Sequence, residues 1–168
     1  RQDNYDVDYQ NYYTFLGVLP QRELFVATAN ALLKTGDKER ALKVLDKCQE
    51  SMPDHVWPLE SIPLGFYTND YMVVNMVSDY FAAGAPDKAA DLGARLGKEL
   101  LTTANFYMQY YEYAADDFER ACQFLYYLID ELEKGGEKTV SHDLKLSLVA
   151  MMRSNIPDEE IEGHAQAD

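Results

Sequence analysis

The sequence predicts an all-α fold of about three antiparallel helical hairpins. Three observations carry that expectation. Apolar residues recur at three and four positions rather than two. No Asn-Gly or Asp-Gly hairpin turn separates apolar runs. Glycines fall at 36, 84 and 135–136, between long stretches of helical periodicity.

The first hairpin is expected over 20–53. Leu24, Ala27, Thr28, Ala31 and Leu32 recur at helical spacing, with Pro20 where a first turn tolerates a missing N–H and Gly36 ending the helix. Asp37 then caps a second helix with Ala41, Val44, Leu45 and Cys48 on one face and Pro53 just past its end. The second hairpin, 69–107, opens at Asn69 or Asp70 and carries Val73, Met76, Val77 and Tyr80. Gly84 ends its first helix, and Pro86 starts another with Ala89, Leu92 and Leu96 facing inward. The third, 111–153, holds Ala115, Phe118, Cys122, Leu125 and Leu128 before Gly135-Gly136, then returns over Val140 to Met152.

Between the first two hairpins, Asp54 to Thr68 contains Trp57, Pro58, Pro63 and Gly65 just after Pro53. Prolines at that density interrupt a helix and predict an ordered, irregular crossing loop. Residues 1–19 are a Tyr-rich segment expected to pack on the helical-repeat domain, 20–155, and 156–168 read as an acidic, solvated tail.

Fifteen Lys and Arg against 29 Asp and Glu give a net charge of −14 in 168 residues. A field of that sign argues against nucleic acid and anionic membrane surfaces as partners. The apolar runs fall far short of the roughly 20 residues a spanning helix needs, so no direct membrane insertion is expected. The charge is uneven: residues 20–54 carry six bases and six acids, whereas 110–168 carry five bases and 14 acids and supply −9 of the total.

Chemistry-bearing motifs are sparse. His55, His142 and His164 are scattered, and neither Cys48 nor Cys122 has a metal-ligand neighbour at helical spacing, so no metal or other cofactor is expected. The two cysteines read as core thiols. Ser141-His142-Asp143 is consecutive, and side chains about 100° apart on a helix do not converge as a triad. Glu112, Asp116, Asp117 and Glu119 read as a solvated helix face. Gly93 and Gly97 lie inside a helix and form no phosphate loop. Tyrosine is the compositional excess, 13 residues with clusters at Tyr9, Tyr12 and Tyr13 and at Tyr107, Tyr110, Tyr111 and Tyr113. Such rings suit tight helix packing, and also sugar or peptide surfaces.

Residues 22–54 resemble a tetratricopeptide repeat, carried by Phe25, Ala29, Leu32, Gly36, Ala41, Leu45, Cys48 and Pro53 in order and spacing. The second hairpin keeps Val73, Val77, Tyr80, Gly84 and Ala89, and the third keeps its turn glycines. The resemblance implies a tetratricopeptide-like right-handed array of these hairpins, with a groove lined by first helices at Val26, Asn30, Lys34, Tyr71, Asn75, Ser78 and Phe81. Asn30 and Asn75 match the asparagines of a peptide-carboxylate clamp, but Val26, Cys122 and Tyr126 stand where its cations would be, so that clamp is not expected.

A second resemblance rests on Ala31-Leu32-Leu33, Gly36, Ala41, Val44 to Cys48, Pro53, Tyr80 to Gly84, Lys88-Ala89 and Tyr110-Tyr111. On these residues the chain is similar to the soluble C-terminal region of a bacterial membrane-protein family related to protein O-mannosyltransferases, described as a domain of unknown function. That resemblance implies an extracytoplasmic, non-catalytic part of a larger glycosyltransferase-like protein; without it a cytoplasmic location is expected. Three functions therefore stand side by side: an interaction or scaffolding module, a freestanding adaptor for a peptide or glycan, and an enzyme of unknown class. The expected binding positions are Asn30, Lys34, Tyr71, Asn75 and Ser78 in the groove, and Trp57 and Tyr67 on the loop.

Overall fold

The structure is a computed structural model that describes residues 12–60 and 69–154. These form six helices and no strand: α1 (Tyr12–Lys34), α2 (Lys38–Ser51), α3 (Asn69–Ala83), α4 (Pro86–Met108), α5 (Tyr111–Lys134) and α6 (Lys138–Ser154). Tyr67 and the 1–11 and 155–168 ends lie outside the described residues. No described helix is long and apolar enough to cross a membrane.

The three tight turns are built alike. Gly36, Gly84 and Gly136 all have φ between +82° and +86°, the left-handed region that a side chain disfavours. At each, the next amide donates back five residues: Asp37 N to Leu32 O (3.0 Å), Ala85 N to Tyr80 O (2.9 Å) and Glu137 N to Leu132 O (2.8 Å). This is the Schellman closure, which satisfies carbonyls the helix end leaves free. The return helices then start from local signals. Asp37 accepts from Arg40 N at 3.1 Å, Pro86 occupies the first turn of α4, and Glu137 Oε1 accepts from Thr139 N and Val140 N.

Each helix packs on the next in the chain, and the first helices of successive hairpins also touch: α1 on α3, and α3 on α5. The core runs continuously through them. Ala41, Leu45, Val73, Val77, Tyr80, Ala89, Leu92, Leu96, Leu125 and Leu128 have no exposure to solvent. Gly93 and Gly97, one turn apart on α4, serve close approach: a Cβ at Gly97 would lie 2.5 Å from a Leu144 methyl carbon, and one at Gly93 2.8 Å from a methyl of Leu132.

Two expectations for α1 are corrected. The helix does not begin near Pro20 but at Tyr12, and runs through the proline. Pro20 removes one hydrogen bond from the ladder, yet its fixed φ is helical, so the residues on either side continue the helix. The expected inward stripe is also rotated: Leu24 is 69% exposed and Ala27, Thr28 and Ala31 face solvent, while Arg22, Val26 and Ala29 face the core. A polar Arg at the centre of the buried stripe and a Leu outside it reverse the apparent amphipathicity. Cys48 is buried and Cys122 half-buried, both as free thiols.

Ala41 and Ala89 have no exposure and sit at close helix contacts. Replacing either with Leu overpacks its hairpin and is expected to cost about 1–3 kcal/mol in urea unfolding. Gly36→Ala should cost about 1–2 kcal/mol through its left-handed φ, without altering the helical circular dichroism.

Candidate functional site

Two regions gather polar side chains: the strip where α1 lies beside α3, and a cleft between the crossing segment and α4. On the strip, Asn30 Nδ2 donates to Asp79 Oδ2 at 2.9 Å and to Val26 O at 3.2 Å, holding α1 against α3. Tyr71 is 53% exposed, Lys34 is exposed, and Asn75 and Ser78 are half-buried. Asn75 is one turn and Ser78 one residue before Asp79, so the bond brings Asn30 beside the positions expected on α3. Burial pushes the Asp79 carboxyl up to about 6.

Val26 and Trp57 are corrected. Val26, expected in the groove, is 6% exposed, and Trp57, expected as a loop contact, is 1% exposed. The indole is core because the segment after α2 folds inward, with Val56 N and Trp57 N both donating to Pro53 O and Val56, Trp57 and Leu59 all buried.

That segment is fastened by polar side chains that sequence reasoning missed. The Arg22 guanidinium, 2% exposed, donates to Trp57 O (3.1 Å), Pro58 O (3.0 Å) and Asn69 Oδ1 (2.8 Å). Asn69 Nδ2 in turn donates to Pro58 O and Leu59 O at 2.8 and 2.9 Å. From α4, Glu99 Oε2 accepts from Leu59 N and Glu60 N at 2.9 and 3.1 Å, and Thr103 Oγ1 donates to Glu60 Oε1 at 2.6 Å. Arg95 bonds Asp54 at 2.6 Å, and Arg120 of α5 bonds Asp70, whose side chain is fully enclosed, at 2.7 Å. Motifs of spacing do not announce such a network, because its members come from four helices and a loop.

Between these groups lies a cleft of about 490 Å³ lined by Asp54, Pro58, Glu60, Arg95, Lys98, Glu99, Thr102 and Thr103. Glu60 Oε2 is enclosed without a hydrogen-bond partner. Burial, opposed by the Thr103 bond and reinforced by the negative field of Glu99, pushes the Glu60 carboxyl up to about 7. Burial likewise raises Glu99. A carboxyl that keeps its proton near neutrality can donate or accept one, but two backbone amides bind Glu99 and no activated nucleophile lines the cleft. Among the described residues no three His, Cys, Asp or Glu side chains gather as a metal-ligand set. Ser141 donates its hydroxyl to Lys138 O at 3.1 Å, while His142 and Asp143 face solvent.

No protein-family model, no curated protein and no solved structure matches the chain.

Arg22→Met removes the guanidinium that donates to Trp57 O, Pro58 O and Asn69 Oδ1. The expected cost is about 3 kcal/mol in equilibrium unfolding, with the Trp57 fluorescence transition shifted to lower denaturant. For Glu60 the folded carboxyl titrates above its ordinary 4.5, at about 7. Between those values the unfolded chain has released a proton that the folded chain retains, so stability falls as pH rises through the window. Asp79 adds to the same slope up to about 6. Melting curves from pH 4.5 to 7.5 should show that decline, and Glu60→Gln should flatten its upper part while raising the midpoint at pH 7.5.

Proposed function

We propose that the chain is a non-catalytic interaction module, a tetratricopeptide-like array whose first-helix face recognises an extended peptide or protein segment. The observation that supports this reading most directly is the succession of first helices, α1 beside α3 beside α5, each backed by its return helix. Stacked hairpins of this kind build one continuous face from side chains that no single hairpin could assemble. On it Tyr71 offers a large, partly exposed ring, with Asn75, Ser78 and Lys34 as polar contacts around the Asn30–Asp79 bond. A ring with a polar tip among neutral hydrogen-bonding groups is the composition that anchors peptide recognition. The buried Arg22 and Asp70 and the half-buried Glu60 and Glu99 support the scaffold and not a reaction.

In this reading the module serves a larger glycosyltransferase-like membrane protein and lies outside the inner membrane. Membrane-spanning segments encoded upstream in the same reading frame would support that placement, and a freestanding gene would favour a separate adaptor.

Titration against peptide and glycan arrays tests the face. Tyr71→Ala and Asn75→Ala should each weaken the strongest peptide ligand, Tyr71→Ala by about tenfold or more, with melting temperatures unchanged. The mostly neutral contacts, Lys34 being the one cation among them, predict an affinity that depends only weakly on salt. A preference for glycans would replace the peptide, and turnover of any arrayed substrate would overturn the non-catalytic reading.

A further inference from the structure

The corner where α4 passes into α5 carries four exposed aromatic rings: Phe106, Tyr110, Tyr111 and Tyr113, at 55%, 51%, 46% and 85% exposure. The backbone there is specifically shaped. Tyr113 N and Ala114 N both donate to Tyr110 O, at 2.8 and 3.0 Å, and Ala114 leaves the helical region with φ −135° and ψ 31°. This break sets the turn that bears Tyr110, Tyr111 and Tyr113 apart from the regular helix that follows. The rings are also steadied by neighbours: Phe106 lies 5.2 Å from Tyr110 and 5.4 Å from Tyr107, and Tyr111 sits edge-on to Phe118 at 5.5 Å. Exposed apolar surface gathered in this way marks an interaction site more often than a scatter of single residues does.

Charge specifies the occupant. Glu112, Asp116, Asp117 and Glu119 follow within the first turns of α5, and Asp117 is close enough that its field helps burial raise the Tyr107 hydroxyl. The single cation from residue 105 to residue 133 is Arg120, and Asp70 binds it at 2.7 Å. The corner therefore presents the negative faces of several rings among four acids, with Arg120 as the one opposing cation of that stretch and drawn to Asp70. Both features select a cation, and a guanidinium fits best because it stacks on a ring while pairing with a carboxylate. The same field opposes an anionic lipid surface, and it opposes a second copy of this chain meeting the patch with its own.

We propose that this corner is a docking surface for an arginine-bearing, cationic peptide segment of a partner protein. It does not rest on the recognition positions proposed on α1 and α3.

Fluorescence anisotropy of the full chain with a labelled Arg-Gly-Gly repeat peptide, against its Glu-Gly-Gly counterpart, tests the proposal. The arginine peptide should bind, more weakly as salt is raised, and the glutamate peptide should not. Replacing Tyr110 and Tyr113 together by alanine should weaken binding at least about fivefold. Asp116→Asn with Asp117→Asn should weaken it and reduce its salt dependence. Lys34→Ala and Asn75→Ala should leave it unchanged, so failure of the first-helix reading and failure of this one remain distinguishable. Unaltered melting curves for these exposed positions verify that each variant folds. Absence of arginine-peptide binding, equal binding of the glutamate peptide, or full affinity in the double tyrosine variant would each overturn the proposal. So would a tyrosine-dependent association with phosphatidylcholine vesicles, or a tyrosine-dependent self-association in sedimentation, without peptide binding.

Discussion

A guanidinium almost sealed from water must be given acceptors, and the arrangement of this fold follows from how Arg22 receives its own. Its partners are the carbonyls of Trp57 and Pro58 and the side chain of Asn69, so one group from α1 joins the crossing segment to the first residue of α3. The need is mutual. A proline-rich crossing has backbone groups that neither helix nor sheet can pair, and burying them unpaired is costly. Arg22 and Asn69 supply donors to its carbonyls, and Glu99 supplies an acceptor to its amides. With donors and acceptors placed on α1, α3 and α4, the segment can turn inward and bury Trp57. The indole then fills the space between the first two hairpins.

What the sequence reveals and conceals divides along the range of the interaction. The turns at Gly36, Gly84 and Gly136, the Asp37 cap and the Pro86 start are local chemistry: each is decided within six residues, and a reading of the chain finds them. The inward faces of α2 and α4 are also legible, because their buried positions are apolar, and so is the Val73, Val77 and Tyr80 stripe of α3, though not its buried Asn69, Asp70 and Asp79. The face of α1 is not, because Arg22 is polar and buried whereas Leu24 is apolar and exposed. Composition cannot distinguish a charged residue on the solvent side from one whose acceptors arrive from a loop more than thirty positions later. Gly93 and Gly97 show the same limit, since only the positions of Leu132 and Leu144 explain how little room a Cβ would find there.

The candidate binding face is legible in part for the same reason. Helical spacing places Asn30, Lys34, Tyr71, Asn75 and Ser78 on first helices, and contact between α1 and α3 brings the two sets together. It also reassigns one of them: Asn30 holds Asp79 and so contributes to helix docking as well as to the surface. Trp57 was the plausible loop aromatic that proved structural. An aromatic flanked by prolines gives no sign of which way it points until the acceptors that fold the loop are known. Glu60, Glu99 and Asp79 have ordinary sequence surroundings, and their raised affinity for protons arises from enclosure.

The distribution of cations links the scaffold to the surface. Arg22 is committed to backbone carbonyls, Arg95 to Asp54, Arg120 to Asp70, Lys88 to Asp46 and Lys145 to Glu133. Each joins elements distant in the chain, so much of the scarce positive charge acts in cross-links between helices. In a chain with 15 bases and 29 acids, every cation held this way leaves acids elsewhere without a counter-charge. The imbalance is local at the start of α5, where Arg120 is drawn to a buried Asp70 while Glu112, Asp116, Asp117 and Glu119 stay beside exposed rings. The cross-link that joins α5 to α3 thus also sharpens the negative corner of α5. Packing and surface recognition are coupled through the one arginine that both could have used.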